Sequence, residues 1–145
     1  MAKKNKIMVI ASGYFNPLHK GHVEYLNRSK ALGDFLFVIV NNDDQREMKG
    51  SAKFMDEKER AHIIFNLKSV DSVMVSIDKD NRLVENSIEF IHNWRCNEFD
   101  KFIFTNGGDQ TAETIGEKEI CEKLGIEMIF GLGDKIQSSS WLLKK

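Results

Sequence analysis

From Lys6 onward the chain alternates between short apolar runs rich in β-branched residues and longer stretches whose apolar positions recur at helical spacing. Lys6 to Ala11 (KIMVIA) and Phe35 to Val40 (FLFVIV) are the clearest of the runs, with Val70 to Ile77, Phe102 to Phe104 and Ile126 to Phe130 following. Such runs suit strands covered on both faces, as in a parallel sheet. The intervening stretches supply the crossovers. Lys20 to about Leu32 carries Val23, Leu26 and Ala31, with Gly33 placed as the residue after the helix. Asp56 and Glu59 read as a capping box with Asp in place of Ser or Thr, opening a helix through about Leu67. Ile88, Ile91 and Trp94 give helical periodicity to Leu83–Cys96, Glu117 to Leu124 reads as a helix closed by Gly125, and Ser138 to Lys145 as a last helical segment. Asn41 to Ala52 reads as a polar loop. Strand, helix, strand in repetition predicts a single doubly wound, Rossmann-like α/β domain over residues 1–145 with a mainly parallel sheet. A chain of 145 residues is the size of one such domain.

Ligands of these sheets sit beyond the carboxyl ends of the strands, where strand order reverses. The loops after strands are therefore where chemistry is sought. With 21 basic and 22 acidic residues and a net charge of -1, no broad nucleic-acid-binding surface is expected. The basic Lys3, Lys4 and Lys6 precede an apolar run too short for a signal-peptide core or a membrane span, so no membrane partner and a cytoplasmic location are expected. Cys96 and Cys121 lack metal-ligand spacing and read as reduced thiols.

The first of these loops is Gly13 to His22, GYFNPLHKGH, which holds the only proline of the sequence, Pro17. It leads from the first strand to the start of a helix, a position that favours an anion through free N–H groups and the helix dipole. Gly13 and Gly21 allow close backbone approach, and His19 and His22, three residues apart, project from one side of the first turn. Both rings can donate to phosphate oxygens. Spacing alone also suits a cap or packed rings, and zinc lacks a third ligand.

The whole stretch resembles the phosphate-binding signature of the cytidylyltransferase-like nucleotidyltransferases, in which a strand leads into G-x-F-(D/N)-x-x-H-x-G-H. Further similarities follow in order: Ala31 to Asp34, Val38 to Asp43, Lys49-Gly50, Glu59-Arg60, Val70 to Val73, Gly107-Gly108-Asp109 and Ser138-Ser139-Ser140. The resemblance implies transfer of a nucleoside monophosphate from a nucleoside triphosphate to a phosphorylated small molecule, with release of pyrophosphate. It also implies an in-line attack with no covalent enzyme intermediate. By that resemblance His19, His22 and Lys49 are the catalytic candidates, the last a cation closing over the phosphates where a solvated lysine is the ordinary alternative. Gly13, Tyr14, Phe15, Gly21, Asp109, Ser138, Ser139 and Ser140 are the nucleotide-binding candidates, although Asp109 also suits a turn and the serines a helix cap. Arg60 is implied as a brace for the lysine loop or a phosphate contact, its alternative being a surface ion pair with Asp56 or Glu57. His62 and His92 lie outside the matched motifs and read as structural or surface residues. Mg2+ is implied as the companion of the triphosphate, with no protein metal ligand identified, and a homodimer is implied as well.

This chain departs from the pattern at Asn16, where Asp is frequent, and before the serines, where Lys135 is the candidate phosphate or acceptor contact in place of an arginine's charge, though a lysine is not the geometric equivalent of a guanidinium. The GGD form of Gly107 to Asp109 is similar to the heptose 1-phosphate adenylyltransferases, whereas a short stand-alone chain is similar to the glycerol-3-phosphate cytidylyltransferases. The balance tips slightly to CTP over ATP. An ATP-dependent adenylyltransferase and a nucleotide-binding sensor without turnover are the alternatives.

Overall fold

A computed structural model describes residues 6–16, 18–50, 52, 55–79, 81, 83–105 and 112–129. Among the described residues five strands, β1 (Ile7–Gly13), β2 (Phe35–Val40), β3 (Ser72–Val75), β4 (Lys101–Thr105) and β5 (Glu127–Ile129), are joined by five helices, two of them between β2 and β3. The helices are α1 (Lys20–Lys30), α2 (Asp43–Lys49), α3 (Glu57–Phe65), α4 (Glu85–Arg95) and α5 (Ala112–Leu124). The strands form one sheet in the order β3-β2-β1-β4-β5. Every pairing is parallel, with Ala11 of β1 opposite Val38 on one side and Thr105 on the other. The doubly wound α/β reading is thus what the chain adopts.

Side chains alternate along each strand, so β1 sends Met8 and Ile10 to one face and Val9 and Ala11 to the other. The first face packs with Phe37, Ile39, Phe102 and Phe104 under Ile88 and Ile91 of α4 and Cys121 of α5. Across the sheet, Leu36, Val38, Val40 and Ile103 pack under Tyr25 and Leu26 of α1 and Ile64 of α3. Both faces are covered, which is why the strands read as continuous apolar runs.

Five expectations change. The polar loop after β2 is mostly helix: Asn42 caps α2 by accepting from the Gln45 N–H (2.8 Å), and Gln45 Oε1 accepts in return from the Asn42 N–H (3.0 Å). Gly50 closes it at φ 87. Gly33 is not a left-handed terminator; a Cβ there would stand 2.9 Å from the Ile7 carbonyl oxygen and the Val9 Cγ2, so close approach to β1 requires the glycine. Only half of the expected box opens α3, with Asp56 accepting from the Glu59 N–H at 2.8 Å. β3 is shorter than Val70–Ile77 because Asp71 bonds outward, its carboxylate accepting from the Leu36 N–H (2.8 Å) and Lys30 Nζ (2.6 Å). Helix α5 also begins earlier than Glu117, at Ala112. The segment Ser138 to Lys145 lies outside the described residues. Among the described residues no helix is long and apolar enough to cross a membrane.

Candidate active site

Strand order reverses between β1 and β4, and the loop that leaves β1 there carries the two histidines. Phe15 turns the chain at φ 52, a left-handed conformation costly for a bulky residue, and its ring is buried beside Gly13. A Cβ on Gly13 would stand 2.8 Å from the Phe15 Cζ. The room that the missing Cβ of Gly13 leaves is filled by this ring.

His19 is the cap of α1 and His22 lies one turn along, and each imidazole serves the backbone of the other's turn. His19 Nδ1 accepts from the Gly21 N–H (3.0 Å) and His22 Nδ1 from the His19 N–H (3.1 Å). Two N–H groups read from the sequence as free for an anion are therefore taken by the rings. The consequence is a fixed tautomer: with Nδ1 used as acceptor, the neutral ring carries its proton on Nε2. The rings stack at 3.8 Å between centroids and 19° between planes, and the edge of Phe15 meets His22 at 5.0 Å. Both Nε2–H groups thus belong to one stacked pair.

Burial lowers the pKa of His19. His22 is pushed down to about 3 by burial first and then by the charges of His19 and Lys49. Both rings are neutral near pH 7. His19 Nε2 is buried and has no hydrogen-bond partner among the described residues, a costly state for an N–H and one that an entering acceptor relieves. Lys49 stands at the end of α2, not on a loop, with Nζ 4.4 Å from the centroid of the Tyr14 ring. Two neutral donors and a nearby cation make a site for anionic oxygens.

Arg60 is buried and braces the site's loops. Its Nη1 donates to the carbonyls of Tyr14 and Asn41 (2.8 Å each), its Nε to that of Met55 (3.1 Å), and its Nη2 to Asp43 Oδ1 (2.7 Å). The structure gives Arg60 the bracing half of its sequence reading, with Asp43 as the ion-pair partner in place of Asp56 or Glu57. Asp109, Lys135, Ser138, Ser139 and Ser140 lie outside the described residues, as does Pro17.

Spacing did not single out Tyr25. Its hydroxyl reaches the point where β1 and β4 separate, donating to the Thr105 carbonyl (2.9 Å) and lying 3.4 Å from both the N and the O of Ser12. Burial pushes its pKa up to about 12, so it stays a neutral strut beneath the histidine loop. His22, Tyr25 and Ser29 follow one another along a single helical face, which was the available signal. Among the described residues no group of three or more His, Cys, Asp or Glu could hold a metal ion.

The sequence matches the cytidylyltransferase-like family over residues 10–133. It is 37% identical over 131 residues to the bifunctional protein HldE of Syntrophotalea carbinolica, covering 88% of this chain and 24% of that protein. The chain thus spans about a quarter of the length of the HldE proteins it matches. It is 29% identical over 143 residues to the FAD synthase of Thermoplasma acidophilum, covering 96% of this chain and 93% of that protein. Among solved structures, the lipopolysaccharide core biosynthesis protein of Thermoplasma volcanium superposes with a TM-score of 0.69 at 31% identity, covering 91% of this chain and 99% of that one.

Proposed function

The chain belongs to the cytidylyltransferase-like family, and on that premise we propose that it transfers an adenylyl group from ATP to a phosphorylated small molecule and releases pyrophosphate. The observation that carries the reading is the locked histidine pair, two neutral Nε2–H donors on one side of a helix start with Lys49 close by. The acceptor's phosphate oxygen attacks the α-phosphorus in line, the bond to the pyrophosphate breaks, and negative charge moves toward the leaving group. His19 and His22 donate to phosphate oxygens and bond more strongly as that charge grows, while Lys49 neutralises part of it. The protein orients and stabilises; it forms no covalent intermediate. Mg2+ accompanies the triphosphate in this reading and neutralises part of its charge.

The relatives turn the choice of nucleotide from CTP toward ATP. FAD is an AMP joined through pyrophosphate to a flavin phosphate, so the named product of one set of relatives carries an adenylyl group on a phosphorylated acceptor. The likeness to HldE and to a lipopolysaccharide core biosynthesis protein supports a sugar phosphate as the acceptor to try first, with flavin mononucleotide second. A homodimer and a cytoplasmic location belong to the same proposal, the former checked by light scattering.

Equilibrium binding of ATP and CTP in the presence of Mg2+ tests the nucleotide. The expected result is a preference for ATP of about tenfold, equivalent to ~1.4 kcal/mol. The opposite preference returns the assignment to cytidylyl transfer, and binding of neither sinks the reading. Pyrophosphate release with each acceptor then separates an enzyme from a sensor.

A further inference from the structure

Ala52 and Met55, which follow Lys49 in sequence, are fastened to the histidine loop by the side chain of Asn16. Asn16 Nδ2 donates to the Ala52 carbonyl (2.9 Å), and Asn16 Oδ1 accepts from the Met55 N–H (3.0 Å). Met55 is also held from the other side, because Arg60 Nε donates to its carbonyl at 3.1 Å. Arg60 in turn donates to the Tyr14 carbonyl at 2.8 Å, two residues before Asn16. The four residues Tyr14, Asn16, Met55 and Arg60 thus close a ring between two loops far apart in sequence. Lys49 lies three residues before Ala52, and its Nζ rests over the ring of Tyr14, a member of the same circuit.

The partners of Asn16 have opposite polarity: one is a carbonyl and needs a donor, the other is an N–H and needs an acceptor. A carboxamide satisfies both at once. An ionised carboxylate only accepts, and would set its negative charge against the Ala52 carbonyl. The residue that departs from the frequent Asp of the pattern is thus the one that this pair of partners requires.

We propose that Asn16 is a positioning residue: its carboxamide fastens Ala52 and Met55 to the histidine loop and so fixes Lys49 over the phosphate site. This rests on the reading of that site as one for a nucleoside triphosphate. Asn16 acts through Lys49 and need not touch the nucleotide.

The test is ATP binding with Mg2+ by the full chain as Asn16→Asp and as Asn16→Leu, each as a ratio to the unsubstituted chain from pH 7.5 down to 4.5. Arg60 and Asp43, bonded into the same loops, are common to all three proteins and cancel in the ratio. At pH 7.5 both variants are expected to bind about tenfold more weakly, the scale of one lost hydrogen bond. As pH falls toward 4.5, Asn16→Asp recovers, because the Ala52 carbonyl facing it disfavours the carboxylate and the neutral carboxyl group again offers an O–H and an acceptor, whereas Asn16→Leu does not. In a Lys49→Ala background, Asn16→Asp is expected to cause no further loss. Amide hydrogen exchange at Met55 reads the fastening without any nucleotide, and protection there falls in both variants at pH 7.5. No ATP binding by the unsubstituted chain overturns the site reading and the proposal with it. Binding that Asn16→Asp leaves unchanged, a loss that pH does not reverse, or full additivity with Lys49→Ala overturns the proposal alone.

Discussion

Between pH 6.5 and about 3 an unfolded chain protonates His22 while the folded protein keeps it neutral, because the ring is buried beside His19 and Lys49. The unfolded state then binds more protons, so stability rises with pH across that window. The contribution is fully present above pH 6.5 and is lost as pH falls through the folded value, by on the order of 5 kcal/mol over the whole range. His22→Asn removes the titration while leaving an amide oxygen near the place of Nδ1 to accept from the His19 N–H. We predict that urea midpoints measured from pH 7 to 4.5 fall less steeply for this variant than for the parent. The same variant lacks an Nε2–H, and transfer should slow by about 100-fold, the usual effect of removing one charge-stabilising donor. Equal slopes in the two proteins would show that His22 titrates normally. Arg60 yields a second expectation at this scale. Arg60→Lys keeps the charge but cannot reach three carbonyls and a carboxylate at once. A loss of roughly 3 kcal/mol in unfolding free energy is expected, and a loss under 0.5 kcal/mol, the scatter of an ordinary surface change, would refute the brace.

Besides their own caps, helix starts here are held by side chains from elsewhere in the chain. Glu57 Oε1 accepts from the Asp43 N–H (2.8 Å) and Asp43 Oδ2 from the Glu57 N–H (3.2 Å), so α2 and α3 cap each other. Asp78, buried beyond β3, caps α4: it accepts from the N–H groups of Asn86 (2.8 Å) and Ser87 (3.0 Å) and from the Ser87 hydroxyl (2.7 Å). Asp78→Asn sets an amide NH2 against at least one of these donors. We predict a loss of about 2 kcal/mol, seen as a lower urea midpoint with an unchanged slope. An unchanged midpoint would mean that α4 does not depend on this cap. The same features mark what a reader of the sequence could and could not see. Strands and the crossovers α1, α3 and α4 are legible because covered apolar surface leaves a periodic record. Helix α2 escapes, since its seven residues are charged or polar apart from Met48 and are held by Asn42, Gln45 and Asp43. The histidine pair is legible as a motif, but its locked tautomer depends on which nitrogen meets which N–H. The bridges of Asn16 and Arg60 span dozens of residues, and no local spacing records them.

The five strands of the described residues run the same way, so the sheet has one edge where strands end and another where they begin. The histidine pair and Lys49 lie at the first edge, so a ligand bound there is coupled to the stability of the whole. ATP with Mg2+ at about 100 times its dissociation constant adds ~2.7 kcal/mol, and an increase in Tm on the order of 10 °C is expected. A Tm unmoved by ATP and CTP alike would count against a nucleotide site. The other edge has a use of its own. Cys96 is exposed in the turn between α4 and β4, at the edge where strands begin, whereas Cys121 is buried in the core with its pKa pushed up to about 12. The folded protein therefore offers a maleimide dye one reactive thiol, and the denatured chain two. A fluorophore attached there sits at the end away from the histidines, so surface tethering or single-molecule observation of turnover needs no engineered cysteine.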